Sequence, residues 1–248
     1  MFRPRVALAS LSGEADADWA RAAADHVGCA FLGGIALDDA TREAARAMTD
    51  RDRSEFLPED PMAFIDAQLE ALADTPLRGA FNVRSGTLGP IERAAEVCRD
   101  RDAVLELNAH CRQDEMCAVG AGEALLRDPA GLTAQVRTAA DAGADVSVKV
   151  RAEVPGVSLP GLARRIEDAG ADAVHVDAMD SEAVVARVAD ATDLFVVANN
   201  GVRGRETARE YLAYGADAVS VGRASDDPDV LEAVRETADG WFTQEVTR

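Results

Sequence analysis

Apolar runs of four to seven residues recur along the chain, separated by longer stretches whose apolar positions fall three and four apart. The runs are Val6 to Ser10, Cys29 to Leu32, Leu77 to Val83, Ala103 to Asn108, Val146 to Val150, Ala173 to Val176, Leu194 to Ala198 and Ala218 to Val221. Short β-rich runs of this kind predict buried strands. The intervening stretches, such as Gly161 to Asp168, Ser181 to Ala189 and Glu206 to Ala213, predict amphipathic helices. A small motif punctuates the change from one to the other. Ala142-Gly143-Ala144-Asp145, Ala169-Gly170-Ala171-Asp172 and Tyr214-Gly215-Ala216-Asp217 each end a helical stretch and precede a strand. The glycine suits the position just beyond a helix, where a positive φ is needed.

Eight strands alternating with helices at roughly 30 residues per unit predict a closed parallel sheet, an α/β chain folded as a (β/α)8 TIM barrel. An open doubly wound sheet is the alternative, but no G-x-G-x-x-G follows the first strand. The polar segment Asp38 to Pro61 predicts an extended loop or an extra helix after the second strand. No low-complexity linker divides residues 1–248, so a single domain is expected.

Composition narrows the picture. The chain has 248 residues and a formal net charge of −19, a field that repels phosphate backbones and anionic membranes. Abundant Asp and Ala, and arginine in place of lysine, are the marks of a salt-adapted protein. In molar salt the Debye length is ~3 Å, so the charge carries little information about partners. The four cysteines, Cys29, Cys98, Cys111 and Cys117, match no metal knuckle and read as small hydrophobes in a reducing cytosol; no metal is expected. Neither a signal-like start nor an apolar run near ~18 residues is present, so the expectation is a cytoplasmic protein with no membrane partner.

In a barrel of this type, chemistry sits at the carboxyl ends of the strands. The polar residues predicted there are Ser10, Asn82, Asn108, Lys149, Asp177, Asn199, Asn200 and Arg223. Lys149 is the only lysine in the chain, and it stands in the run Val146-Ser147-Val148-Lys149-Val150-Arg151. Strand alternation puts Lys149 and Arg151 on one face. A cation at the barrel mouth can bind an anion, stabilise developing negative charge or form a Schiff base. The structural alternative is a lysine neutralised by Glu106. Cys111 follows Asn108 by three residues, over the mouth, with Gly120 and Gly122 behind it. Alone it reads as a packing residue. Asn200-Gly201 and Gly222-Arg223 occupy the loops after the last two strands, the recurrent phosphate site of the fold.

Taken together, these segments resemble the flavin-dependent dihydrouridine synthases and, more distantly, the dihydroorotate dehydrogenases. Asn108, Cys111, Gly120, Gly122, Leu125, Leu126, Asp128 and Pro129 are similar in type and spacing to the family's strand-4 pattern. Val148-Lys149-Val150-Arg151 resembles its Val-Lys-x-Arg strand, and the two glycine loops resemble its FMN-phosphate loops. The resemblance implies an FMN-dependent oxidoreductase acting on a pyrimidine ring, free or as a tRNA uridine. FMN would be held by Ser10, Asn82, Asn108, Lys149, Asp177, Asn200, Gly201, Gly222 and Arg223. It implies Cys111 as the acid that exchanges a proton with C5 of the pyrimidine, with Asn108 and Lys149 beside it. A homo-oligomer is compatible with it, and the electron donor is open.

Four departures accompany the resemblance. His110 and Arg112 flank the cysteine where the family has glycine and proline. The strand-6 end reads Asp177-Ala178-Met179 in place of His-Gly-Arg, with His175 two residues earlier and readable as a satisfied core histidine. The first strand ends Ala9-Ser10-Leu11 in place of Ala-Pro-Met. The chain continues about 25 residues past Arg223, where the family adds a helical tRNA-gripping domain. Two other readings stay open: a Schiff-base aldolase or lyase using Lys149, and a barrel without flavin or catalysis.

Overall fold

A computed structural model of the chain describes residues 1–245. Its strands are β1 (Val6–Leu8), β2 (Cys29–Ala36), β3 (Arg78–Arg84), β4 (Val104–Ala109), β5 (Asp145–Arg151), β6 (Ala173–Asp177), β7 (Phe195–Asn199) and β8 (Ala218–Val221). They pair in sequence order, all parallel, and β8 closes on β1. The predicted (β/α)8 barrel is the observed fold.

The glycine motif works as its residue types dictate. At the end of the helix Pro129–Asp141, Gly143 (φ +88°) donates its N–H to the Ala140 carbonyl while Ala144 donates to that of Ala139. Gly170 and Gly215 repeat the arrangement at φ +102° and +87°. These are Schellman stops, which glycine enters without a Cβ clash. The aspartates closing the second and third motifs have a second use. Asp172 accepts the Val146 amide of β5 at 2.8 Å, and Asp217 accepts the Val196 amide of β7 at 3.0 Å. Each carboxylate thus accepts the amide of the second residue of the preceding strand.

One expectation needs correction. The second strand does not end at Leu32 but runs on to Ala36. Gly33 and Gly34 read as a stop, yet they permit a close approach: a Cβ on Gly34 would lie 2.5 Å from the Asn82 side-chain oxygen of β3. The segment Asp38 to Pro61 supplies the extra helix that the sequence allowed. It holds the helix Asp39–Thr49, capped by Asp38, and then turns back over the barrel rim. Burial works against ionisation of Asp38. The Ser85 hydroxyl at 2.6 Å and the Thr41 and Gly86 amides at 2.9 and 2.6 Å outweigh it and hold its carboxyl below the usual range.

Outward-facing strand residues such as Leu105, Leu107, Val146 and Val148 pack under the helices in the main core. Inside the barrel, Phe2, Ala7, Cys29, Phe31, Ala80, Val104, Val197 and Ala218 fill the lower half. A polar layer lies above them. Glu106 accepts from Asn82 at 2.7 Å, from His175 Nδ1 at 2.7 Å and from Ser147 at 3.3 Å. His175 Nε2 meets the Ser220 hydroxyl at 2.7 Å. All five side chains are fully buried, and each has its partner inside the layer. His175 is therefore the satisfied core histidine that the sequence allowed.

Candidate active site at the carboxyl rim

Above that floor the barrel opens into a cleft with two adjoining lobes. One, of about 470 Å³, lies between β1 and the loops after β6, β7 and β8, and is lined by Ser10, His110, Lys149, Asp177, Asn199, Asn200, Gly201, Gly222 and Arg223. The other, of about 580 Å³, lies toward β4 and the rim segment after β2, and is lined by Ser10, Ser12, Asn108, His110, Cys111, Arg112 and Lys149. A larger cavity of about 680 Å³ opens at the opposite end, beside Phe2, Leu77 and Ala103. It faces the amino ends of the strands, where this architecture carries stability rather than chemistry.

Lys149 stands where the two lobes meet. It is 4% exposed, and its sole hydrogen-bond partner among the described residues is the Ser10 hydroxyl at 3.5 Å. Glu106 does not neutralise it; that carboxylate is committed to Asn82, His175 and Ser147, and no carboxylate lies within 4.0 Å of the ammonium among the described residues. Burial pushes the lysine below its ordinary pKa, while the more distant Glu106 and Asp177 pull it back up. A buried ammonium has three protons to donate, and this one uses one of them on a long contact.

Asn108 is fixed from beneath and holds the loop above. Its amide nitrogen donates to Asn82 Oδ1 at 2.8 Å, and its oxygen accepts the backbone amides of His110 and Cys111 at 3.1 and 2.8 Å. Asn82 itself does not reach the cleft. It is fully buried in the floor, with both amide ends taken by Glu106 and Asn108, so the expected cofactor contact is replaced by a supporting one.

Cys111 lines the second lobe, with its side chain against the cluster of Ala36, Ala44, Ala45, Met48, Met116 and Ala121. The glycine behind it serves the loop rather than a ligand: a Cβ on Gly122 would fall 2.3 Å from the Cys111 carbonyl oxygen. Beside the thiol lies a charge pair that inspection of the motifs missed. Arg84, at the end of β3, and Glu55, in the rim segment, form a fully buried salt bridge, and Arg84 also donates to the Gly34 carbonyl at 2.7 Å. Burial opposes the charge on Arg84, but Glu55 and the Cys111 sulfur overcome it and raise its pKa.

Asp177 does not stand free to meet a ligand as expected. Its Oδ2 is 2.5 Å from His110 Nε2, and its Oδ1 accepts the Met179 amide at 3.1 Å. Burial works against its ionisation, but His110, Met179 and Lys149 outweigh that and hold its carboxyl low. Two apparent departures, His110 on the β4 loop and Asp177 on β6, are thus a single interaction. Arg151 turns aside to Glu123 at 3.0 Å.

The last two loops keep an open cradle. Asn200 (φ +96°) and Gly201 (φ +64°) make a left-handed turn. The Asn200 side chain is spent on the Met179 carbonyl at 2.7 Å, so it shapes the loop rather than facing the cleft. A Cβ on Gly201 or Gly222 would meet nothing within 4 Å. Among the described residues, Arg223 makes no ion pair, and neither do Arg53, Arg112 and Arg203 around the same rim. No group of His, Cys, Asp and Glu among the described residues is arranged to hold a metal ion, and no helix there is long and apolar enough to cross a membrane.

Known proteins resemble this chain at three levels. A computed fold match links it to FabK from Thermotoga maritima, at a TM-score of 0.60 and 17% identity, and to a point mutant of that protein at 0.60 and 16%. Those matches cover 90% of this chain but only 59% and 63% of the FabK chains, so it spans about three-fifths of their length. They show the barrel. An uncharacterized protein of Methanocaldococcus jannaschii is 28% identical over 232 residues, 88% of each chain. Residues 89–247 match the dihydrouridine synthase (Dus) family. The match begins just past β3, so it takes in Asn108, Cys111, Lys149, Asp177 and both glycine loops and leaves out Ser10, Glu55 and Arg84. Running from the helix after β3 through the whole of the far side of the barrel, it shows that this chain belongs to the dihydrouridine synthase family.

Proposed function

We propose that the chain is an FMN-dependent oxidoreductase that acts on the C5–C6 bond of a pyrimidine ring. Family membership supports the oxidoreductase kind over a Schiff-base lyase. The observation that carries the reading to this chain is Lys149: a buried ammonium, short of acceptors, at the junction of two lobes of one cleft. Such a group calls for an oxygen- or nitrogen-rich ligand edge. FMN fits the lobe beneath the last two loops. Lys149 and Ser10 would meet the ring edge, and Gly201, Gly222 and the unpaired Arg223 would receive the phosphate, with the Asn200 turn presenting the backbone.

Bound FMN would supply or accept the hydride at C6. The protein's part is to place the second ring in the lobe toward β4 and to handle protons there. Cys111 is the acid that gives its thiol proton to C5, or takes one in the reverse direction. Asn108 sets the height of that loop through the Cys111 amide.

Arg53 and Arg112 rim the second lobe and make no ion pair among the described residues, although Glu14 and Asp52 share it. They are additional to Arg223, assigned above to the FMN phosphate, and this favours a substrate that brings its own phosphate, a nucleotide or a tRNA uridine, over a free base. A single barrel working in the cytoplasm suffices for this reading.

The test is a visible spectrum of the purified protein in high salt, with release and identification of any chromophore and titration with FMN. Turnover is then compared on uracil, uridine monophosphate and tRNA. Protein that is colourless and takes up no FMN ends the proposal.

A further inference from the structure

Two histidines point into the barrel, and only one has a nitrogen to spare. His175 uses both ring nitrogens in the floor. His110 sits on the wall common to both lobes, 31% exposed, with Nε2 on Asp177 and no partner at Nδ1 among the described residues. A carboxylate at Nε2 keeps the ring proton there and leaves the Nδ1 lone pair bare. Asp177 is itself steadied by the Met179 amide, and the His110 backbone by Asn108. The ring is thus fixed at both ends, with one nitrogen free on a cleft wall. This is the arrangement of an oriented acid–base group.

We propose that His110 exchanges a proton with the bound substrate through Nδ1, with Asp177 as the positioning residue that sets its tautomer and balances the imidazolium. One proton moves between Nδ1 and the carbonyl oxygen conjugated with the reacting carbons. The N–H bond breaks as the O–H bond forms, no electrons pass to or from the protein, and the proton returns to Nδ1 when the carbonyl reforms. Cys111 serves the carbon and His110 serves the oxygen. The identity of that oxygen rests on the pyrimidine reading above; the dyad and its free nitrogen do not.

The charges facing His110 come from several elements. Asp177 and the neutral His175 lie on β6, Lys149 and Arg151 on β5, and Arg223 follows β8; Cys111 is its neighbour in the loop. Arg53 and Asp52 of the β2–β3 segment, Glu14 after β1, and Arg112 line the outer part of the shared lobe. Burial lowers the His110 pKa below the ordinary imidazole value; Asp177 opposes this and Lys149 and Arg151 reinforce it. At neutrality Nδ1 is bare. Ring reduction, which needs the proton on His110, therefore speeds up as pH falls through the lowered pKa. Ring oxidation, which needs the bare nitrogen, shows the mirror-image limb.

The experiment uses the whole chain and two readouts. In ¹⁵N spectra of the three histidines, His110 is expected to show a protonated Nε2 and a bare Nδ1 at neutral pH, and the Asp177→Asn variant is expected to lose that preference. Titration with uridine monophosphate should move the Nδ1 resonance. In kinetics, His110→Gln is expected to retain FMN by its visible spectrum, to lose at least ~100-fold in kcat, and to lose the pH limb with little change in KM. The limb should persist in the residual activity of Cys111→Ala. A protonated Nδ1 in the wild type, an Nδ1 resonance indifferent to the nucleotide, or a His110→Gln variant that keeps rate and limb would each overturn the proposal. The wild-type tautomer and the nucleotide titration need neither FMN nor a folded variant. If the wild type takes up no FMN, the redox reading falls while these arms still decide whether Nδ1 meets the substrate.

Discussion

Replacing Lys149 with methionine should invert the order of stability between free and FMN-loaded protein. The ammonium is 4% exposed and makes one 3.5 Å contact. A buried donor left without adequate partners costs about 1–3 kcal/mol. The field of Glu106 and Asp177 returns part of that cost. Methionine fills a similar volume with no charge to desolvate. Without FMN, Lys149→Met is expected to be more stable than wild type by about 1–2 kcal/mol, a rise of ~2–8 °C in Tm. The sign has a pH signature. A lysine whose folded pKa is lowered penalises the fold below that pKa, and the penalty fades as pH rises toward the unfolded value. The gap between variant and wild type should therefore narrow in alkali. With FMN at ~100 times Kd the wild type gains ~2.7 kcal/mol, and the variant, lacking the contact, gains less. Urea unfolding at constant m, with and without FMN, reads both halves. A variant destabilised by more than ~1 kcal/mol in the FMN-free protein would show that the ammonium is already well served, and the reasoning from it would fail.

Cys111→Ala should keep FMN and lose most turnover, measured by spectrum and by reduction of a pyrimidine; full turnover would remove the thiol from the mechanism. Glu55→Ala strips the partner from a fully buried guanidinium and is expected to cost about 3–5 kcal/mol in urea unfolding, whereas Glu55→Met with Arg84→Met together should recover most of it; a loss below ~1 kcal/mol from the single change would mean that water reaches the pair. Asp38→Ala removes a helix cap and is expected to cost about 0.5–2 kcal/mol. Because the folded carboxyl of Asp38 sits low, its contribution is present above the ordinary carboxylate pKa and lost as pH falls through the folded value. Unfolding curves of variant and wild type should thus converge in acid; a gap independent of pH would point to packing instead.

The barrel was legible because its grammar is local. Apolar runs and glycine stops repeat at a regular spacing, and each Schellman end depends on a few adjacent residues. Lys149 was legible for a similar reason, being a cation in an apolar run with no polar excuse. What escaped were pairings between distant segments. Glu55 lies in a polar stretch that reads as solvent-facing, and nothing local announces that Arg84 buries it. Gly33 and Gly34 read as a strand end because their actual task, making room for Asn82, belongs to the neighbouring strand. Asn82 and Asn108 look alike at two strand ends, yet a vertical offset puts one in the floor and the other at the loop. His110 and Asp177 carried a signal: two simultaneous departures of complementary chemistry on strands flanking Lys149. Read separately, one alters the loop around Cys111 and the other reverses the charge at a flavin-contacting position.

The buried layer of Asn82, Glu106, Ser147, His175 and Ser220 acts as a bulkhead. Its members satisfy one another, and its link to the cleft above is the Asn108 amide donating to Asn82 Oδ1. Rim loops set on such a platform are free to diverge in sequence without disturbing how the cylinder closes. A mutation within the platform has no such freedom, since it unseats Asn108 on one side and the packing around Phe31 on the other. New substrate preferences in this lineage should therefore accumulate above the bulkhead, and loss-of-folding mutations within it.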